Sequence, residues 1–293
     1  MIAAVASGKG GTGKTTVTAS LATVWGGPLV AVDLDVEEPN LHLFLRPTIE
    51  GREKAHLTVP VVDEARCNCC RACADLCQFA AISVMGSVIL TFPEMCHGCG
   101  GCFAVCPEKA LSCGQRELGE ISWGRSGPVD FLSGRLRVGE AMSPPLMRRV
   151  KGRLQQMLGS VGGDAIIDAP PGVSCPAVNA VLDSDVILLV TEPTPFGFYD
   201  FRLAWQAFAP LGKPLGVVVN RAGLGHDAVY RFCRDQGLPL LAEIPYDRDI
   251  AAAYARGRIV ADLSPELRET FLSLRGKIGD LARQCRPRKA VHA

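Results

Sequence analysis

An α/β fold is expected for this chain: a parallel sheet covered by helices on both faces, built around a glycine-rich loop and interrupted by a small cysteine-rich α+β insert. Three observations predict it. Short, continuously apolar, β-branched runs recur at Ile2–Ala6, Leu29–Asp33, 166–168, Val186–Thr191, 215–220 and 240–244, with helical stretches between them. That pattern belongs to strands buried on both faces. The sequence Gly8-Lys9-Gly10-Gly11-Thr12-Gly13-Lys14-Thr15 follows the first run directly and fits G-x4-G-K-[ST]. The strand–helix alternation breaks between about 57 and 114, where cysteine and glycine take over.

With 293 residues, 48% of them hydrophobic, the chain can bury one large core plus a small module. A net charge of +1 provides no electrostatic footprint for a polyphosphate backbone, so no nucleic-acid partner is expected. The first residues lack a basic region and run straight into the glycine loop, which argues against a signal peptide. No uninterrupted apolar stretch reaches about 18 residues, so no membrane span or stable insertion is expected. Thirteen cysteines without a leader point to a reducing compartment and a cytoplasmic location.

The glycine loop sits between the strand at 2–6 and a helix at 17–25. Its glycines allow consecutive backbone N–H groups to face phosphate oxygens, and the helix start adds partial positive charge. Gly8, Gly10, Gly11, Thr12, Gly13, Lys14, Thr15 and Thr16 are therefore expected to hold a nucleotide. Lys14 should reach the β- and γ-phosphates, and Thr15 should place its hydroxyl on Mg²⁺. The strand at 29–33 ends in Asp33-Leu34-Asp35. One of the two aspartates is expected to polarise the attacking water; a solvated turn is the plain alternative for Asp33, and Asp35, one step past the strand end where loops carry chemistry, is the better candidate. Asp168, at the next strand end, is expected to hold the metal's water shell. A helix N-cap is the competing role, but Pro170-Pro171 prevents a helix from starting at once.

The insert carries two four-cysteine combs. Cys67-x2-Cys70-x2-Cys73-x3-Cys77 is followed by Cys96-x2-Cys99-x2-Cys102-x3-Cys106-Pro107. This spacing suits two [4Fe–4S] clusters, with the fourth cysteine of each comb crossing to the other cluster. Cys67, Cys70, Cys73 and Cys106 then form one set, and Cys96, Cys99, Cys102 and Cys77 the other. Zinc would use paired C-x2-C sites at separated places rather than a whole comb repeated. Ala81-Ile82 after Cys77 matches Ala110-Leu111 after Cys106, so each half reads as a loop, a small helix and a strand. Gln78 stands where a proline closes the second comb. Cys69 is an extra thiol, read as a bystander, and Cys113, Cys175, Cys233 and Cys285 lie outside the combs. His97 is read as a surface neighbour of Cys96. Residues 115–142 read as a strand pair returning to the sheet. Leu267, Phe271, Leu274, Ile278 and Leu281 mark one face of a final helix covering that sheet, before a polar tail from Gln284.

Lys9, Gly10, Gly11, Gly13, Lys14 and Thr15 resemble the deviant Walker A loop of the MinD/ParA/Mrp and nitrogenase-iron-protein superfamily. Asp33-Leu34-Asp35 and Asp168-Ala169-Pro170-Pro171-Gly172 are similar to its two switch segments. The layout resembles the MinD-superfamily ATPases with an inserted ferredoxin domain, as do Thr191 to Gly197 and Val218-Val219-Asn220-Arg221. The resemblance implies a parallel-sheet, SIMIBI-like P-loop NTPase at 1–56 and 115–293, with a bacterial-type two-cluster ferredoxin domain at 57–114. It implies that Lys9 reaches a partner's nucleotide, that Asn220 and Arg221 meet the base, and that Pro245 and Asp247 flank it. The implied cofactors are Mg-ATP and two [4Fe–4S] clusters. The implied partners are ATP or ADP, a second ATPase subunit (identical or related) and an unidentified redox protein. The expected function is ATP hydrolysis coupled to electron transfer or partner docking. An Mrp-type iron–sulfur carrier or scaffold, and a MinD-like positioning ATPase with a redox sensor, are the alternatives. A cobyrinate-type amide synthase is set aside because too little chain follows 245 for a glutaminase domain.

Overall fold

The computed structural model describes residues 1–284; Cys285 and the polar tail to Ala293 lie outside the described residues. β1 (Ile2–Ala6) leads through the glycine loop to α1 (Lys14–Val24), β2 (Leu29–Asp33), α2 (Leu41–Leu45) and the long β3 (Thr48–Val62). The cysteine-rich segment holds α3 (Ala72–Leu76), the hairpin β4 (Ile82–Met85) and β5 (Val88–Thr91), and α4 (Gly101–Val105). Next come β6 (Leu111–Ser126), β7 (Val129–Leu136), α5 (Ser143–Val161), β8 (Asp164–Asp168), α6 (Cys175–Val181) and β9 (Val186–Thr191). The chain closes with α7 (Pro195–Phe208), β10 (Leu215–Ala222), α8 (Ala228–Asp235), β11 (Leu240–Pro245), α9 (Arg248–Ala255) and α10 (Pro265–Gln284).

The main sheet runs β11-β10-β9-β1-β8-β2-β7-β6-β3. Every pairing from β11 to β7 is parallel, and β6 and β3 extend the sheet in antiparallel sense. Side chains alternate across it. Ala4 and Ala6 face a core shared with Leu146, Val150, Val181, Phe201 and Phe208, whereas Ala3 and Val5 face one shared with Val17, Leu21, Phe271 and Leu274. The period-2 alternation of strand side chains thus feeds two apolar layers at once, which is why these strands carry so few polar residues. In α10, Phe271, Leu274 and Ile278 are buried against the sheet. Its Lys277 and Arg275 donate to the carbonyls of Leu241 and Val24 at 2.7 and 3.4 Å. No helix among the described residues is long and apolar enough to cross a membrane.

β3 has no counterpart among the strands read from the sequence. Residues 48–62 are too polar for that reading, because β3 is the sheet edge and its Arg52, Glu53 and Lys54 are exposed. Charges on an edge discourage pairing with another chain, and Pro60 is tolerated where no further strand needs its N–H. β3 and β6 pair from Thr48↔Arg125 to Val62↔Leu111, so their ladder passes residues 57 and 114 without a break.

The two cysteine combs adopt the same backbone path. Cys69 (φ 55°) and Arg71 (φ 67°) in the first correspond to Gly98 (φ 66°) and Gly100 (φ 77°) in the second, and Ala80 (φ 50°) corresponds to Lys109 (φ 48°). The loop therefore needs a left-handed residue at its third position, which a glycine supplies freely and a cysteine supplies under strain. Cys69→Gly is expected to stabilise the fold by about 1 kcal/mol. Chemical denaturation checks it; a loss of stability would show that the Cys69 thiol makes a needed bond.

Candidate functional site

The phosphate loop is shaped by what surrounds it. A Cβ on Gly8 would stand 1.9 Å from the Asp200 carbonyl oxygen of α7. Gly13 has φ 98°, and a Cβ there would stand 2.3 Å from the Asn220 amide. Inside the loop, Lys14 is 7% exposed, and its ammonium makes no hydrogen bond or ion pair within the described residues. Burial lowers its pKa, opposed by Asp168, Asp35 and Asp33. The Thr12 hydroxyl is buried without a partner. An unpaired buried cation and an orphan hydroxyl fit an anionic ligand held in this loop.

Three carboxylates face the loop. Thr15 Oγ1 donates to Asp168 at 2.6 Å, and Thr18 Oγ1 donates to its other oxygen at 3.3 Å. Asp33 pairs with Asp168 in the β2–β8 register. Asp33 is fully buried, and its two oxygens accept from the backbone N–H groups of Asp35 and Leu41 at 3.1 and 2.9 Å. It therefore anchors the loop after β2, while Asp35 is partly exposed and meets the backbone N–H of Glu38. Burial, reinforced by Asp168, pushes the Asp33 carboxyl well above its ordinary range. Burial pushes Asp35 and Asp168 from 3.8 to about 6. A crowded carboxylate set of this kind, with a hydroxyl at the helix start, fits a divalent cation with oxygen ligands.

The raised values set a sign. The folded chain binds more protons than the unfolded one between about pH 4 and 6, so its metal-free stability falls as pH rises through that window. Asp168→Asn should therefore raise the melting temperature of the nucleotide-free protein in EDTA at pH 8 and leave it nearly unchanged at pH 4. An equal shift at both values would contradict this electrostatic account.

Lys9 lies 2.6 Å from Glu192, which is 6% exposed and is also gripped by Arg221 at 2.6 Å. Arg221 reaches the Gly11 carbonyl at 3.3 Å, and Asn220 donates to the Thr12 carbonyl at 2.8 Å. Beside them a cavity of about 180 Å³ is lined by Thr16, Asn220, Arg221, Pro245, Asp247 and the rings of Tyr246 and Tyr254. Asp247 also caps α9, accepting from Asp249 and Ile250. Glu192 lies in the 191–197 stretch that the sequence singled out without giving it a role, and Tyr246 and Tyr254 escaped the sequence reading. Glu192 is 183 residues from Lys9, and a lone tyrosine carries no motif.

The cysteines fall into two groups. Cys67, Cys70, Cys73 and Cys106 line one tight recess, together with Cys69. Cys77, Cys96, Cys99 and Cys102 line a second cavity of about 370 Å³, which Cys73 also borders. Backbone N–H groups of Gly98 and Ala110 point at the sulfurs of Cys96 and Cys106, at 3.4 and 3.3 Å. The exposed His97 stacks on Phe79 with centroids 3.5 Å apart, joining the two halves. Among the described residues no three His, Cys, Asp or Glu side chains converge on one metal position. Thiolates that each bind a different iron of a cube have no need to converge.

A strand, a glycine loop and a helix, with a buried lysine and facing carboxylates, define a P-loop nucleotide-binding protein. Residues 3–260 match the CobQ/CobB/MinD/ParA nucleotide binding domain, and the chain belongs to that family. The match runs across 57–114 without marking off a second domain. An uncharacterized protein of Methanocaldococcus jannaschii is 30% identical over 279 residues, spanning 94% of this chain and 95% of that protein. The fold is similar to that of the septum site-determining protein MinD of Pyrococcus horikoshii complexed with Mg-ADP (TM-score 0.59, 23% identity, 96% of each chain). It is likewise similar to the cell division ATPase MinD of Pyrococcus furiosus (TM-score 0.57, 24% identity, 96% of this chain and 98% of that one).

Proposed function

We propose that this chain is a Mg-dependent ATPase working as a face-to-face dimer, identical or with a related subunit, and that its nucleotide state is coupled to two [4Fe–4S] clusters in the cysteine loops. One observation carries the coupling. β2 ends at Asp33, Asp35 follows, and the chain passes through α2 straight into β3, whose far end delivers Cys67. The same loop is tied to β7 by the Leu136 N–H on the Val36 carbonyl at 2.8 Å. A shift of Asp35 on hydrolysis therefore has a continuous backbone route, through α2 and the length of β3, to the cysteines.

Lys14 neutralises the β- and γ-phosphates, Thr15 and Asp168 hold the metal and its water shell, and Asp35 orients the attacking water. Mg²⁺, when bound, neutralises charge between the phosphates. Lys9 leaves Glu192 to meet the partner's nucleotide across the dimer. Asn220 and Arg221 receive the base in the cavity beside Pro245 and Asp247, with Tyr246 and Tyr254 as its aromatic walls. Cys67, Cys70, Cys73 and Cys106 hold one cluster, and Cys96, Cys99, Cys102 and Cys77 the other; bound clusters would supply one-electron redox chemistry toward a protein partner. The grouping of these thiols around two cavities supports this reading, as does their N–H···S geometry.

The rate of reduction by a low-potential donor should differ between ATP-bound and ADP-bound protein. A shift of about 59 mV in a one-electron couple is a tenfold change in equilibrium, readily resolved. Identical rates and potentials in nucleotide-free, ADP and ATP forms would favour the Mrp-type carrier or the MinD-like positioning reading instead.

A further inference from the structure

Arg116 of β6 and Glu140, between β7 and α5, form the most buried ion pair among the described residues, with 7% and 2% of their side chains exposed. Glu140 is pinned from its other oxygen by the Met142 N–H at 3.0 Å. Arg116 turns its second amino group to the Cys96 carbonyl at 3.4 Å, and its Nε has no partner. Taking a guanidinium out of water is unfavourable unless it is well paired, and here the pairing is incomplete. Among the described residues no buried cation borders the other cysteine set. Arg66 and Arg71 beside it are exposed and bond to the carbonyls of Glu108 and Val84. The backbone paths of the two combs match; their buried charge does not.

Resting on the cluster reading above, we propose that Arg116 holds the cluster of Cys96, Cys99, Cys102 and Cys77 at a higher reduction potential than its twin, with Glu140 limiting the effect. One electron from a donor makes a cluster more negative by one charge, and a buried cation beside it stabilises that state far more than an exposed one does. Cys96 packs against the core of the main sheet, and Leu57 and Thr58 of β3 lie beside Gly98. The electron therefore settles on the set that borders Thr58 and Pro60 of β3. Arg116 is a positioning residue in this scheme and ligates nothing.

The test is an EPR-monitored titration with dithionite on anaerobically purified full-length protein. Wild type should carry about eight iron and show two unequal potentials. Glu140→Gln should raise the higher potential and Arg116→Met should lower it, each by about tenfold in equilibrium, or ~59 mV. The other potential should stay fixed, and a Cys70→Ser background, lacking that cluster, assigns the signals. Arg116→Lys should stay close to wild type. If Arg116→Met fails to load iron, Arg116→Met/Glu140→Leu replaces the pair with apolar groups of similar volume and should lower the same potential. Shifts of the same sign in Glu140→Gln and Arg116→Met, or both clusters moving together, would overturn the proposal. Iron-free wild type would instead remove the cluster reading itself, before any titration.

Discussion

Lys14→Ala should weaken ATP binding and slow hydrolysis, with turnover falling by at least about 100-fold, the typical effect of deleting one preorganised charge contact in the transition state. The ammonium it removes is buried and has no partner among the described residues, and the loop's other lysine, Lys9, is held by Glu192. Lys9→Ala should behave differently. Lys9 is paired with Glu192 inside its own chain, and Arg221 continues to neutralise Glu192 when the lysine is gone. Nucleotide affinity of the monomer should therefore survive, while ATP-dependent dimerisation and turnover are lost. Light scattering with a slowly hydrolysed ATP analogue separates the two variants. A Lys9→Ala protein that dimerises and hydrolyses like wild type would remove the face-to-face arrangement from this chain.

On the cluster assignment proposed above, Cys77→Ser should cost about half of the iron, and the half lost should be that of Cys96, Cys99 and Cys102 rather than of Cys77's own comb. The shared cavity of Cys77 with those three thiols is the structural basis, just as Cys106 lines the recess of Cys67, Cys70 and Cys73. Because a module this small has little apolar core, loss of one cluster should also lower its stability markedly. Iron analysis with the EPR spectrum of the surviving cluster decides. Loss confined to the Cys67 set would mean that the fourth ligands do not cross.

Much of the sheet was legible because each parallel strand is a short apolar run between helices, and Ile2–Ala6, Leu29–Asp33 and Val186–Thr191 match the observed strands. β3 was not, since a polar edge strand lacks the pattern of a doubly buried one. At the site, residue types and spacing pointed to the phosphate loop, Asp35 and Asp168. Its place past the strand end already favoured Asp35 over Asp33, but the anchoring of the following loop by both Asp33 oxygens depends on backbone N–H groups that only folding brings there. The strain at Cys69 was equally hidden: the spacing sets this thiol aside as a bystander, and only the backbone angle shows that its position takes a left-handed residue. Distant pairs such as Arg116–Glu140 and Lys9–Glu192 join residues no local pattern connects.

The long β3–β6 ladder bears on how this chain could be re-engineered or could have changed in evolution. A module on a flexible tether can be cut away or exchanged at the tether, but here the two connecting strands are part of the main sheet. Any graft would have to rejoin the strands in register, for instance across the facing pair Leu57 and Arg116, because a one-residue slip turns every side chain to the wrong face. It would also have to provide a new edge for β7 or cap the shortened one. Traffic of cysteine modules into or out of this scaffold is thus constrained to whole, in-register steps, and point-by-point erosion of the cysteines is the easier path by which such a module would be lost.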